Sequence, residues 1–202
     1  ETASLSGIQK AFWLGIRFDI KLASIAIFPL SLLVLISNRR FFKYSFYSKL
    51  ANIYLVLGYL TLTVFYLIDF GYYEYLAIRL DAASLRFLDD LKISSQVLLE
   101  SYPVFKGLIG LLIFIFLVFK GSKFIYSKFQ NNQFHVTKKL KTVYFIATFL
   151  LLAFSIYNSF THYPLRWSEA FFSKNNKVNQ FSLNPVLYFF DSFSFRSEGV
   201  NM

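Results

Sequence analysis

"FWLGIRFDIKLASIAIFPLSLLVLISNRR", residues 12–40, sets three charges, Arg17, Asp19 and Lys21, near the start of a run that otherwise suits hydrocarbon. A bilayer core about 30 Å thick needs about 20 mostly apolar helical residues, because no water inside it can satisfy exposed backbone groups. The stretch therefore reads as a membrane span over about 12–37, with charges at its entrance. Pro29 lies inside it and predicts a kink, unless a neighbouring group donates to the carbonyl that proline leaves unpaired. Such a kink has an ordinary packing explanation.

The rest of the chain agrees with that reading. It has 202 residues, 56% hydrophobic and 21% aromatic against 16% charged, and its mean hydropathy of +0.49 is outside the range of soluble domains. Three further segments are long enough to span, about 50–70, 103–126 and 141–160. Ser101 and Pro103 suit the first turn of the third. The fold class expected is an all-α membrane protein, a polytopic bundle of about four transmembrane helices. The formal charge of +10 does not imply nucleic-acid binding, because the basic residues lie between apolar runs rather than on one face. With no cysteine, disulfides and thiolate metal sites are excluded. The opening "ETASLSG" has neither Met nor a secretory leader pattern, so the natural start is expected upstream. Abundant Lys, Asn, Phe and Ile with scarce Gly and Pro match an AT-rich bacterial genome.

Charge asymmetry orients the spans. Arg39, Arg40, Lys43 and Lys49 follow the first, and Lys120, Lys123, Lys128, Lys138, Lys139 and Lys141 lie around the join of the third and fourth. Neither stretch holds an acid, so both face the cytosol. Between spans two and three, Asp69, Glu74, Asp81, Asp89, Asp90 and Glu100 outnumber Arg79, Arg86 and Lys92. That loop lies outside, and so do both ends of the chain. Leu80, Phe87, Leu88, Leu91, Leu98 and Leu99 fall near helical spacing in it, which predicts an amphipathic helix over about 77–100 lying on the outer surface. Residues 1–165 thus form the transmembrane domain. Residues 166–202 form juxtamembrane interfacial helices, with Ser168 and Asn184 as caps, Pro185 at a first helical position and "SKNNKVNQ", 173–180, as the turn between them.

"GIRFDIKLASIAIFPL", "DFGYYEYLAIRLD", "SYPV" and above all "HYPLRWSEAFFSKNNKVNQFSLNPVLYFFDSF" resemble the membrane part of the lipoteichoic acid synthase-like family, the phosphoglycerol-transferase and sulfatase-type members of the alkaline phosphatase superfamily. The resemblance covers nearly the whole chain. It implies a bacterial inner-membrane protein with five membrane helices, the first preceding Glu1. A large extracellular α/β domain would follow, carrying a Thr nucleophile on a divalent metal, usually manganese. That domain would move a phosphoglycerol-type headgroup from a phospholipid to an acceptor. The chain stops at "SEGVNM", where the linker to that domain is expected to begin, so no catalytic residue, metal ligand or cofactor is carried onto it. His135 and His162 fall on opposite sides of the membrane and cannot share a metal. Asp69 and Glu74 alone make a poor metal site.

The expected site is therefore a lipid-headgroup groove. Arg17 and Lys21, four apart, share a helix face, and Asp19 points elsewhere, suited to orienting a donor on a neighbouring helix. Glu74 and Arg79 beyond span two, and Arg166 with Trp167 beyond span four, reach the same depth. The competing reading gives these charges to structural ion pairs and snorkelling. Expected partners are the bilayer, anionic headgroups and the chain's own extracellular domain, with the C-terminal end on the periplasmic or extracellular side. The alternative is a non-enzymatic scaffold that docks an extracellular partner. A transporter fits less well, for want of midplane polar residues and paired broken helices.

Overall fold

Ala11, Leu14 and Phe18 recur at three- and four-residue spacing. In the computed structural model of the chain they form the buried stripe of helix α1, Leu5–Ser37. The structure describes residues 4–37, 45–89, 92, 95–96, 99–100, 102, 104–131 and 137–198. Arg39, Arg40, Lys43, Asp90, Leu91, Leu98, Ser101, Pro103 and His135 lie outside the described residues. The other long helices are α2, Ser45–Leu76, α3, Val104–Asn131, and α4, Lys138–Tyr157. Two shorter ones follow, α5, Asn176–Ser182, and α6, Pro185–Glu198. Short 3-10 turns occur at Ala82–Leu88 and Trp167–Ala170. Among the described residues every regular element is helical.

Each of the four segments expected to span is helical over most of its described residues, though the fourth ends at Tyr157, short of the predicted 160. Lys49–Leu76 and Val104–Phe124 are each long and apolar enough to cross a membrane, and almost nothing in either is buried by protein. Thr142–Tyr157 is apolar but shorter. α1 continues through Pro29. Tyr54 donates a 2.8 Å hydrogen bond to the Ala26 carbonyl, next to the Ile25 carbonyl that proline deprives of its helical donor.

Two compact units make up the chain, Glu1–Tyr54 with Lys123–Asn184, and Leu55–Ser122 with Pro185–Met202. In the first, α1 packs on α4 and α5. Leu14, Phe18, Leu165, Ala170, Val178 and Leu183 make its core, each large side chain contributing about 1.5–3 kcal/mol on burial. The tail after α4 therefore has a protein partner in α1, where the sequence predicted only a bilayer surface. α5 crosses α1 at Gly15, where a Cβ would lie 3.9 Å from the Phe181 and Ser182 carbonyls. Ordinary van der Waals contact at that distance means Gly15→Ala is accommodated. Gly15→Leu is expected to push α5 away and lower stability by about 1–3 kcal/mol, read as the thermal midpoint in detergent.

In the second unit α2 ends at Leu76, and Ala77 reverses the chain in the left-handed region at φ 55°. Residues 78–81 are not helical, so the amphipathic helix predicted over 77–100 does not begin where its periodicity suggested. The Asp81 side chain instead accepts from the Ala83 amide and starts a 3-10 turn. Beyond Asp89 the backbone is helical at residues 92, 95–96 and 99–100. α6 packs on that turn, with the Ala82 amide donating to Ser192 Oγ at 2.7 Å and Phe65 edge-on to Phe189 at 5.1 Å.

The predicted turn over 173–180 is also corrected. Only residues 173–175 bend, and the Asn175 side chain caps α5 by accepting from the Lys177 amide at 3.0 Å. Ser168 is not a cap: it sits inside the second 3-10 turn, which follows Arg166.

Candidate functional site

Arg17 leaves α1 on the same side as Leu14 and Lys21 and meets the end of α4. The α4 helix stops at Asn158, whose left-handed backbone (φ 47°) closes the last turn by donating to the Phe154 carbonyl. Arg17 Nη2 donates to the Asn158 carbonyl, Nε donates to Asn158 Oδ1 at 3.4 Å, and Asn158 Nδ2 donates back to the Arg17 carbonyl. Nη1 lies 3.9 Å from Glu169 Oε2. One helical turn on, Lys21 Nζ donates to the Leu165 carbonyl at 2.7 Å. Asp19, on another face, accepts from Asn184 Nδ2 at 2.7 Å.

These bonds satisfy the polar groups where α4 ends and its tail turns back on α1. Leu165 is fully buried and Asn158 partly so, and a buried carbonyl left without a donor costs about 1–3 kcal/mol. The three charges of the opening stretch thus hold the tail, with Arg17 on the end of α4, Lys21 on residue 165 and Asp19 on residue 184. Asp19 does orient a donor, but Asn184 belongs to the link between α5 and α6 and not to a neighbouring span. Arg17 is at 20% side-chain exposure and bonds Asn158 twice with Glu169 beside it.

Arg166 and Trp167 lie in the same unit. Arg166 is exposed, its guanidinium 4.8 Å from the Tyr163 ring centre. Trp167 stacks edge-on against Phe171 at 5.5 Å. Lys10 is exposed two turns before Arg17 and holds its ammonium 4.4 Å from the Phe172 ring. Sequence reasoning passed over Lys10, Asn158 and Glu169. Only Asn158 carried a local signal, an Asn directly after an apolar helical run.

Glu74 and Arg79 belong to the other unit. Arg79 Nη1 is 2.6 Å from Asp69 Oδ2, and the Leu80 amide donates to Asp69 Oδ1 at 2.9 Å. Asp69 is 1% exposed, so a buried carboxylate organises the turn after α2. Glu74 is exposed. On α6, burial pushes the Tyr188 phenol up, and the Asp81 carboxylate adds to the effect. The native state thus retains that proton more strongly, a stabilisation present below the ordinary phenol range and lost as pH rises through the raised value. Among the described residues no group of three or more His, Asp or Glu side chains is placed to hold a metal ion.

Among the described residues the regular structure is helical, two helices are long and apolar enough to cross a membrane, and a basic, aromatic tail is bonded to the first helix. No family model, curated protein or solved structure matches the chain.

Proposed function

We propose that this chain is the membrane-embedded anchoring and lipid-presenting domain of a bacterial headgroup transferase of the phosphoglycerol or phosphoethanolamine type. It acts at the outer face of the cytoplasmic membrane. Four spans, α1 to α4, cross the bilayer, and the tail from residue 159 emerges outside. The resemblance to the lipoteichoic acid synthase-like family supplies the chemistry, which a metal-bearing extracellular domain would perform. The observation that carries the anchoring part is the bonding of Arg17, Asp19 and Lys21 to the tail. A tail fixed at three places on a membrane helix sets both height and direction for whatever follows it.

A second reading draws on the same geometry. Because Arg17 and Lys21 are bound to backbone carbonyls, the tail also suits a non-enzymatic scaffold that docks an extracellular partner. Reconstitution of the protein that carries this chain, with phosphatidylglycerol labelled in its headgroup glycerol, separates the two. Headgroup transfer that falls at least about tenfold when residues 1–165 are replaced by an unrelated helical anchor supports lipid presentation, since misplacement by about 1 Å costs on the order of 100-fold. Undiminished transfer reduces the domain to a tether, and absence of transfer favours the scaffold.

A further inference from the structure

Arg17 and Lys21 are committed to the fold, which leaves other cations of the same unit for lipid. Among the described residues neither Lys10 nor Arg166 stands in an ion pair. Each instead lies against an aromatic ring, Phe172 and Tyr163 respectively. A ring face steadies a cation without neutralising it, so most of its donors stay available to an anion. In the same unit Phe160, Tyr163 and Trp13 are 94%, 63% and 63% exposed. Aromatic residues with one apolar and one wet side are the usual occupants of the headgroup layer.

Depth follows from the helix. Arg166 adjoins Leu165, whose carbonyl takes Lys21, so it stands at the level where α4 ends. Lys10 precedes Arg17 by two turns, about 10 Å along the axis, and the headgroup layer is about 5–8 Å thick on each side. A lysine stem reaches back across the difference. On the membrane-embedded reading both cations stand at the depth of lipid phosphates and not of acyl chains. Exposed Lys174 and Lys177 add positive charge to the same tail, against Glu169, which faces Arg17.

We infer that Lys10 on Phe172 and Arg166 on Tyr163 form a docking surface for the phosphates of anionic lipids in the leaflet that holds this end of the chain. The inference rests on the membrane-embedded reading and names the lipid class that surrounds the tail. A cation near an anionic surface gives a local enrichment of about fivefold.

The two tryptophans of the chain, Trp13 and Trp167, both lie in this unit and report on it alone. The full chain is placed in bilayer discs of mixed phosphatidylcholine and phosphatidylglycerol, with bromine at one acyl depth on one lipid class at a time. Tryptophan quenching by brominated phosphatidylglycerol is expected to exceed that by equimolar brominated phosphatidylcholine several-fold. The excess should vanish in the double variant Lys10→Gln/Arg166→Gln and persist in Arg166→Lys, which keeps the charge. Equal quenching by both lipids overturns the inference while leaving the membrane reading intact. A preference unchanged in the double variant overturns the assignment to these two side chains. If neither lipid quenches, the membrane reading fails and the inference fails with it.

Discussion

Arg17→Met is expected to free the tail from α1 without melting the helices. The substitution keeps the apolar stem and removes the donors to Asn158 and the charge beside Glu169. Hydrogen bonds made by a charged group contribute about 1.5–3 kcal/mol each, and a partner left buried and unpaired adds its desolvation cost. A loss of about 2–3 kcal/mol falls on the packing of residues 159–184, because α4 keeps its own backbone bonds. Limited proteolysis reads this directly. Trypsin is expected to cut at Lys174 and Lys177 at least about 30-fold faster than in the parent chain, while helical circular dichroism stays within a few per cent. Arg17→Lys keeps the charge and loses the forked geometry, so it should fall between the two. If Arg17→Met leaves the cleavage rate unchanged, Arg17 does not hold the tail.

Arg79→Met should be the more damaging change in the other unit. Asp69 is buried to 1% exposure and faces Arg79 at 2.6 Å. Removing the arginine leaves a buried carboxylate with the Leu80 amide but without its counter-charge, an effect of about 3–5 kcal/mol. Replacing both residues, as Asp69→Leu/Arg79→Met, leaves no orphan charge and is expected to cost less than the single arginine change. Hydrogen exchange at the Leu80 amide, which donates to Asp69, monitors the turn. Protection should collapse in Arg79→Met and fall only partly in Asp69→Asn, whose amide oxygen still accepts. A double variant no more stable than Arg79→Met would show that the pair does not organise this turn.

The long helices were legible because an apolar run of sufficient length between polar ends is a one-dimensional signal. The polar bonds were not, because they join residues far apart in the chain. Arg17 and Asn158 are 141 positions apart, and Asp19 and Asn184 are 165. Periodicity misled at 77–100, where apolar spacing resembled a helix but the Asp81 cap and the buried Asp69 impose a reversal first. Composition hid α5, since "SKNNKVNQ" looks like a turn while Asn175 supplies the cap and Val178 the buried face. Of the seven residues expected to line one groove, Arg17, Asp19, Lys21, Arg166 and Trp167 share a unit. Glu74 and Arg79 belong to the other, with Arg79 held by Asp69.

The chain contains no cysteine, so a single introduced thiol reports its side of the membrane without background. Lys174 and Lys139 are both exposed and belong to segments assigned to opposite faces. In spheroplasts treated with a membrane-impermeant maleimide, Lys174→Cys is predicted to label at once, and Lys139→Cys only after permeabilisation. Labelling of Lys139→Cys alone in sealed spheroplasts, or equal labelling of both, would contradict an outward tail bonded to a membrane helix.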